Sequence, residues 1–285
     1  GIGPPPQHAR CEALQETQEV AVMTVLLQVD NLVKKFGGVT AVNGVGFPVL
    51  KGEIFSLIGP NGAGKTTMFN LISRVLPATS GTITLDGNDI TRTAPHRIAP
   101  LGMGRTFQNL AVFKHASVVD NLLVGRHSHM KTSVLGGLLF GPTTRAAERA
   151  HRKRVEEIID FLEIQHVRDV PVGALAYGLQ KRVELGRALA TEPKLLLLDE
   201  MVSGMNAEET EDIARFILDL KEELEITVMM IEHDMGIVTD ISDHIAVMNF
   251  GERIAYGTPD EIRADPHVIE AYLGHKLQED TEAVH

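Results

Sequence analysis

The residues whose chemistry is clearest form a glycine-rich stretch. In order they are Gly59, Pro60, Asn61, Gly62, Ala63, Gly64, Lys65, Thr66 and Thr67. They fit the pattern G-x-x-x-x-G-K-[ST], in which the backbone N–H groups of a loop surround phosphate groups. Glycine permits the backbone bends that turn those N–H groups inward. The Lys65 ammonium can then reach the β- and γ-phosphates, and the Thr66 hydroxyl can hold Mg²⁺.

The segments on either side of this loop support the same interpretation. Residues 53–58 are an apolar run that predicts a buried strand, and residues 67–72 predict the start of a helix. A helix N-terminus carries partial positive charge, which favours bound phosphate. The alternative is a glycine-rich turn that binds nothing, and the strand and helix flanks make it the less favoured one.

Two acids end a second apolar strand. Leucines at 195–198 lead directly into Asp199 and Glu200. Open α/β sheets bind ligands at the carboxyl ends of their strands. Asp199 is therefore a candidate to complete a Mg²⁺ shell with Thr66, and Glu200 to orient or deprotonate a water that attacks the γ-phosphate. Taken alone, two acids at a strand end are equally well explained as solvated surface groups. Together with the phosphate loop, they indicate nucleotide hydrolysis.

Other candidates carry weaker signals. His233 follows the apolar strand 226–231 and could hydrogen-bond a γ-phosphate or hold the attacking water. Gln108 stands where a strand-rich part gives way to a helical part, and its amide could contact Mg²⁺ or water. Either residue alone is more often a surface histidine or a loop glutamine. Residues 175–182 lead into a predicted helix at 183–190, and alone they indicate only a helix start.

Strand and helix patterns divide the chain into parts. Further strands are predicted at 25–29, 40–45, 80–87, 194–200 and 226–231. Asn43-Gly44 is a turn or a bulge. Residues 146–164 have the spacing of an amphipathic helix, 208–224 are helical, and 245–256 form a hairpin. Residues 1–23 are predicted to be a flexible tail with Met23 as a candidate natural start, and 276–285 a second tail.

Composition restricts the class of protein. The chain has 285 residues, of which 44% are hydrophobic, so it can bury a sizeable core. Its formal charge of −11 and the lack of a basic run argue against nucleic acid as a partner. The single cysteine, Cys11, suits a reducing compartment. Since no apolar run approaches the length of a spanning helix, we expect a soluble chain that meets membranes through partners.

These elements, in this order, resemble the nucleotide-binding subunit of ABC transporters from about Leu26 to Gly274. The resemblance implies a Q-loop at Gln108, a signature loop at 175–180, an acidic strand end at Asp199 and Glu200, a D-loop at 203–206 and a switch histidine at His233. Phe36 matches the aromatic residue that stacks on adenine, although a ring there could also be part of the core.

The resemblance implies an α/β fold: a P-loop NTPase (ABC ATPase) with a RecA-like core, an antiparallel β subdomain and an inserted α-helical subdomain. The ATPase domain would cover 24–275, with the helical subdomain at about 109–182. ATP and Mg²⁺ are the implied cofactors. The family works as a head-to-tail dimer. Ala176 and Gly178 would therefore contact the γ-phosphate of the ATP that is bound to the phosphate loop of a second ABC ATPase subunit, either a paralogue or a second copy.

Other implied partners are transmembrane permease subunits and, indirectly, a solute-binding protein, on the cytoplasmic face of the cell membrane. Finer features look like the branched-chain amino-acid uptake ATPases: Leu-Ala-Tyr-Gly at 175–178, the insert at 128–145, and the endings at 256–259 and 271–274. The ATPases of urea/amide importers and of lipopolysaccharide export are near relatives and remain alternatives.

This sequence departs from the family pattern at three positions. Ala176 lacks the hydroxyl of the usual signature serine, and Leu179 replaces a usual Gln or Glu. Met201 replaces the usual proline after Glu200, which we expect to loosen the turn that aims this carboxylate and to slow hydrolysis.

Proteins of other classes share the phosphate loop. A non-transport ABC protein usually carries two cassettes or a long coiled coil, and this chain has one cassette. A GTPase would need an Asn-Lys-x-Asp motif, which is not found in the sequence. A P-loop kinase would leave the signature loop and His233 without a role.

Overall fold

Strands and helices alternate along most of the chain. The structure is a computed structural model that describes residues 24–106, 112–129 and 142–272. Within these ranges the strands are β1 (Val25–Phe36), β2 (Val39–Leu50), β3 (Ile54–Ile58), β4 (Ser80–Leu85), β5 (Asn88–Asp89), β6 (Met103–Arg105), β7 (Leu195–Asp199), β8 (Thr227–Ile231), β9 (His244–Asn249) and β10 (Glu252–Gly257). The α-helices are α1 (Lys65–Ile72), α2 (Val118–Gly125), α3 (Pro142–Phe161), α4 (Tyr177–Leu189), α5 (Ala207–Glu222), α6 (Met235–Ile241) and α7 (Pro259–Ala264).

The larger sheet has the strand order β10-β9-β3-β8-β7-β6. Its strands run parallel except for β10, which forms the predicted hairpin with β9. Every residue of β3, β7 and β8 is buried. Their side chains alternate between two apolar clusters, one shared with α2 to α7 and the other with α1 and the second sheet. Continuous apolar strands are thus explained by cover on both faces.

The second sheet is antiparallel, in the order β2-β1-β4-β5. Asn43-Gly44 is a bulge within β2, because the strand continues to Leu50 and the register with β1 shifts there. The Asn43 N–H donates instead to the Gly251 carbonyl at 2.8 Å. Pro48 is tolerated in β2 since this strand lies at the edge of the sheet. The bulge therefore ties this sheet to the hairpin of the larger one.

Helices α2, α3 and α4 pack together beside the larger sheet. The amphipathic helix predicted at 146–164 is confirmed as α3, which ends at Phe161, and its apolar positions Val155, Ile158 and Ile159 are buried. Helix α4 begins at Tyr177, earlier than the predicted 183, and Ala176, whose backbone is not helical, is its N-cap. The limits of a helical subdomain at about 109–182 stay a prediction.

The sheet order brings three strand ends to one edge. Ile231, the last residue of β8, lies opposite both Leu57 of β3 and Asp199 of β7. The phosphate loop follows β3, Glu200 follows β7, and Glu232 and His233 follow β8. Because the strands are parallel, these segments emerge on the same side. Among the described helices, none combines the length and apolar character needed to cross a membrane.

Candidate functional site

The phosphate loop depends on two glycines whose backbones lie against other strands. Gly59 has φ 147° and Gly64 has φ 98°, a region that favours glycine. A Cβ atom on Gly59 would lie 2.1 Å from the Met248 carbonyl oxygen, and one on Gly64 would lie 2.5 Å from the Ala41 carbonyl oxygen. The loop can therefore take this shape only with glycine at both positions, and α1 starts directly after it.

Lys65 is folded over the loop. Its Nζ donates to the carbonyl oxygens of Gly59 at 2.6 Å and Pro60 at 3.0 Å, and the residue is 9% exposed. Burial lowers the pKa of Lys65, while the charge of Glu200 acts in the opposite direction. The ammonium is thus held at the loop and lies within the electrostatic reach of Glu200.

A cavity of about 500 Å³ adjoins the loop. Its lining combines the loop, one strand of the second sheet, the acidic strand end and the hairpin turn: Val39, Thr40, Ala41, Asn61, Gly62, Ala63, Gly64, Lys65, Thr66, Thr67, Glu200, Phe250 and Gly251. The Gly251 N–H donates to the Ala63 carbonyl at 3.0 Å, which fixes the hairpin beside the loop. The structure thus brings Lys65, Thr66 and Glu200 to one cavity.

Sequence reasoning missed the apolar wall of this cavity. Phe250 is 74% exposed, its φ is 45°, and it lines the cavity with Val39. Phe36, the predicted adenine-stacking residue, ends β1 three positions before Val39 and is 47% exposed. Lys34 Nζ lies 4.9 Å from the centroid of the Phe36 ring. Phe36 is thus a half-exposed ring near the cavity and outside its lining, so its role stays a prediction.

Asp199 is held by an arginine that was not predicted. Arg105 Nη2 lies 3.0 Å from Asp199 Oδ2, and the same guanidinium donates to Asn70 Oδ1 of α1 and to the Oγ of Ser73, which caps the end of α1. Asp199 is 1% exposed. Burial raises the pKa of Asp199, and the hydrogen bond and charge of Arg105 oppose that shift. Within the described residues, Asp199 Oδ1 has no hydrogen-bond partner.

Glu200 has an unusual backbone conformation. Its φ is 50°, which non-glycine residues seldom adopt. The Glu200 N–H donates to the Ile231 carbonyl at 3.0 Å, so the end of β8 anchors it. Such outliers are frequent at functional sites, where the surroundings hold them. Glu200 lines the cavity, whereas the buried Asp199 is not part of its described lining.

The next two residues after Glu200 face Glu232, the first residue after β8, to which the sequence patterns assigned no role. The Val202 N–H donates to Glu232 Oε1 at 3.2 Å. Burial raises the pKa of Glu232 to about 7, although hydrogen bonds from the N–H groups of Val202 and Met201 act to lower it. Met201 itself is 1% exposed. The expected loose turn after Glu200 is therefore packed and hydrogen-bonded here.

His233 and Gln108 are less well placed by the structure. His233 is exposed, directly after Glu232, and is not part of the described lining of the cavity. Gln108 lies outside the described residues. The last described residue before it, Thr106, accepts a hydrogen bond from the Asp199 N–H at 3.2 Å. The predicted roles of His233 and Gln108 stay predictions.

The signature loop does not contribute to the described lining of this cavity. Ala176 is the N-cap of α4 and makes no side-chain cap hydrogen bond, as its missing hydroxyl implies. Gly178 is buried, and a Cβ there would lie 2.4 Å from Glu209 Oε1. Leu179 packs against the apolar core. Gly204 of the D-loop lies beside the Tyr177 ring, so these two loops are neighbours.

Comparison with protein families gives two matches. The ABC transporter family matches residues 42–203, which include the phosphate loop, the signature loop and both acids. A second family, described as branched-chain amino acid ATP-binding cassette transporter, matches residues 252–277. The first match covers more than half of the chain, and the second adds the C-terminal segment from β10 onwards.

This chain aligns with nearly the whole length of several branched-chain amino acid transport ATP-binding proteins. BraF of Pseudomonas aeruginosa, a high-affinity branched-chain amino acid transport ATP-binding protein, is 44% identical over 249 residues, which is 87% of this chain and 98% of BraF. LivG of Escherichia coli, of the same description, is 41% identical with the same coverage. LivG of Methanocaldococcus jannaschii is 37% identical over 253 residues, or 87% of this chain and 97% of that protein.

Solved structures agree with the fold. An ATP-binding cassette of an ABC transporter in its ADP conformation superposes with a TM-score of 0.77 at 36% identity, covering 88% of this chain and 99% of that one. A nucleotide-free cassette has a TM-score of 0.76 at 35% identity, covering 87% of this chain and 99% of the other. The predicted fold class and family are confirmed. The chain belongs to the ABC transporter family and is one of its ATP-binding, ATP-hydrolysing cassettes.

Proposed function

We propose that this chain is the ATP-hydrolysing motor subunit of an importer for branched-chain amino acids. The observation that carries the proposal is the cavity in which Lys65, Thr66 and Glu200 meet. These groups are a phosphate-binding cation, a metal-binding hydroxyl and a carboxylate base. The match of residues 252–277 and the names of BraF and LivG support the substrate class.

ATP binding is assigned to the phosphate loop and the wall beside it. The backbone N–H groups of 61–67 surround the phosphates, with α1 directing its N-terminus at them. Lys65 exchanges its two loop carbonyls for phosphate oxygens, which are stronger acceptors because they are charged. Phe36 stacks on the adenine ring with the face that Lys34 does not cover.

The residues at the strand ends fit a Mg²⁺ ion. Asp199 Oδ1 is a buried carboxylate oxygen without a hydrogen-bond partner in the described part of the chain, and Thr66 presents a hydroxyl in the cavity. Oxygen donors of this kind suit Mg²⁺, which keeps few protein ligands beside substrate phosphates. Thr66, Asp199 and Gln108 would hold it. When bound, the ion neutralises charge on the phosphate oxygens.

Hydrolysis is assigned to Glu200 and His233. Glu200 accepts a proton from the attacking water or orients it, and it does so from a fixed backbone position. His233, exposed two residues beyond β8, is close to the same sheet edge and hydrogen-bonds the γ-phosphate. Glu200 directly follows a strand that is buried along its length, and its N–H is bonded to the Ile231 carbonyl at the end of the next strand, so its backbone is held in place.

The second wall of the site is assigned to another ATPase subunit. Ala176 and Gly178 start α4 apart from the described lining of the cavity of their own chain. A helix start binds phosphate well, so these residues serve the ATP on a paralogue or a second copy, in a head-to-tail dimer. ATP then closes the dimer, and hydrolysis opens it.

An apolar groove of about 350 Å³ supports contact with transmembrane permease subunits. Its lining includes Gly104 and Arg105, which lead towards Gln108, and the exposed side chains of Val75 and Val124. A permease segment seated there would sense the state of the Asp199 site through Arg105. The chain would thus be peripheral on the cytoplasmic face of the membrane, and a solute-binding protein would act through the permease.

Glu200→Gln tests the shared site. The amide cannot accept the proton, so we expect ATP binding within about twofold of wild type, loss of turnover by about 100-fold or more, and a stable dimer with ATP. Light scattering with and without ATP gives the mass. A variant that stays monomeric at saturating ATP, although it binds ATP, would contradict the dimer. Co-purification with permease subunits, followed by leucine uptake in vesicles, tests the substrate class.

A further inference from the structure

The end of β8 anchors the turn around Glu200 on both sides. Ahead of the turn, Glu200 donates its N–H to the Ile231 carbonyl at 3.0 Å. Behind it, Val202 donates its N–H to Glu232 Oε1 at 3.2 Å. Ile231 and Glu232 are consecutive residues. One short segment therefore holds the backbone before and after the residue proposed as the base.

The backbone of Glu200 needs such an anchor. At φ 50° a residue with a side chain is less stable than in the usual regions of backbone conformation. Strained residues persist only where the surrounding structure determines their conformation. The adjacent Met201 has an N–H, unlike a proline, and this N–H also acts on the Glu232 carboxyl group. The carboxyl group is thus the acceptor for the whole second half of the turn.

Glu232 is unsuited to be a base itself. It is 2% exposed and is not in the described lining of the cavity. Its Oε2 is buried without a hydrogen-bond partner in the described ranges. The charged groups that act on it are Glu200 and Lys181. A buried carboxyl group next to another acid is costly unless it makes hydrogen bonds, so its retention here points to a structural task at Glu200.

We propose that Glu232 is a positioning residue that fixes the backbone of Glu200 and so aims its carboxylate into the nucleotide cavity. This inference rests on the proposed role of Glu200 as the base. Glu232 also directly precedes His233, so the same residue links the acidic turn to the switch histidine. A shift of His233 on nucleotide binding would reach Glu200 through this carboxyl group.

Two substitutions of similar size separate the acceptor from the bulk of the side chain. Glu232→Gln keeps a carbonyl oxygen for the Val202 N–H, whereas Glu232→Met fills the same space without a strong acceptor. Both are uncharged, so charge is matched. Glu232→Asp keeps the carboxylate on a side chain that is one methylene shorter, so its oxygen lies farther from the Val202 N–H. This variant replaces Glu232→Met in the test if the Met variant does not fold.

The experiment measures kcat and KM for MgATP hydrolysis by the full chain. Misplacement of a reacting group by about 1 Å can lower a rate by about 100-fold. We expect Glu232→Gln to stay within about threefold of wild-type kcat, and Glu232→Met and Glu232→Asp to lose about 10- to 100-fold, each with KM within about threefold. Amide exchange at 200–202 should quicken in the Met and Asp variants only.

Wild-type kcat in the Met or Asp variant, or equal losses in the Gln and Met variants, would overturn the positioning role. A rise in KM as large as the loss in kcat would also do so, because it would mean a general disturbance of the site. Glu200→Gln is measured in parallel. If that variant keeps its turnover, the proposed function has failed; if it loses turnover while the Met and Asp variants do not, only this inference has failed.

Discussion

Arg105 Nη2 lies 3.0 Å from Asp199 Oδ2, and the guanidinium also donates hydrogen bonds to Asn70 of α1 and to Ser73 at its C-terminal end. Through this one side chain, the strand that leads to Gln108, the strand that ends at Asp199 and the helix that follows the phosphate loop are joined. Arg105 thus binds the carboxylate through Oδ2, and Oδ1 has no hydrogen-bond partner in the described part of the chain, as the proposed Mg²⁺ site requires.

Removing Arg105 should destabilise the fold more than removing a surface arginine. Arg105→Ala leaves a carboxylate that is 1% exposed without its counter-ion, and we expect a loss of about 3 kcal/mol in the free energy of unfolding. Arg215→Ala is the matched control. Its ion pair with Glu163 at 3.1 Å is about half exposed, so the loss should be within about 1 kcal/mol. Urea titrations measure both; equal losses would contradict the prediction.

Lys65→Ala should weaken ATP binding. A hydrogen bond to a charged group contributes about 1.5 to 3 kcal/mol, so we expect the dissociation constant of ATP to rise about 10- to 100-fold. Fluorescent ATP titration measures it, with circular dichroism to check the fold. Lys153→Ala, at a side chain 81% exposed on α3, should leave affinity unchanged. An unaltered affinity in the Lys65 variant would count against the phosphate-binding role.

Phe36→Ala should weaken the binding of the adenine ring of ATP without changing the binding of its phosphates. A stacked aromatic pair is worth about 1 kcal/mol, so the dissociation constant of ATP should rise about fivefold. Tripolyphosphate, which has no base, should bind the variant and the wild type equally well. Competition titrations of both ligands give the comparison. If both ligands bind the variant equally more weakly, the substitution has disturbed the fold, and the stacking role of Phe36 is contradicted.

Glu232 should make stability depend on pH. Burial raises the pKa of Glu232 from its ordinary value of 4.5 to about 7 in the folded chain. Between these pH values the folded chain therefore binds more protons than the unfolded chain. Stability therefore falls as pH rises from 4.5 to about 7, by about 3 kcal/mol, and stays lower above that. The difference between wild type and Glu232→Gln in urea titrations at pH 5 and pH 8 isolates this contribution. A constant difference would contradict it.

The features predicted correctly from sequence are local ones. The phosphate loop, its flanking strand and helix, and the acids after 195–198 are each written in consecutive residues, and the structure confirms the elements there. Burial on both faces makes β7 and β8 apolar throughout, so their ends stand out. The order of these elements also identified the family.

What was missed depends on residues distant in sequence. The strand order places β6 beside β7, which brings Arg105 to Asp199, and puts β8 between β3 and β7, which brings Glu232 to the turn after Glu200. Phe250 reaches the cavity because the hairpin turn bonds to Ala63. An arginine, a buried acid and an exposed ring have no local pattern that assigns these contacts.

The sequence by itself thus determined which chemistry this protein performs, because phosphate binding and the acidic strand end need contiguous residues whose types and spacing are specific. Only the tertiary structure decided how the groups are held. The parallel register at Ile231 aligns three strand ends, the Ile231 carbonyl of β8 accepts a hydrogen bond from the Glu200 N–H, and the arginine that pairs with Asp199 comes from β6. Such contacts arise from the packing of the sheet, which no short stretch of sequence encodes.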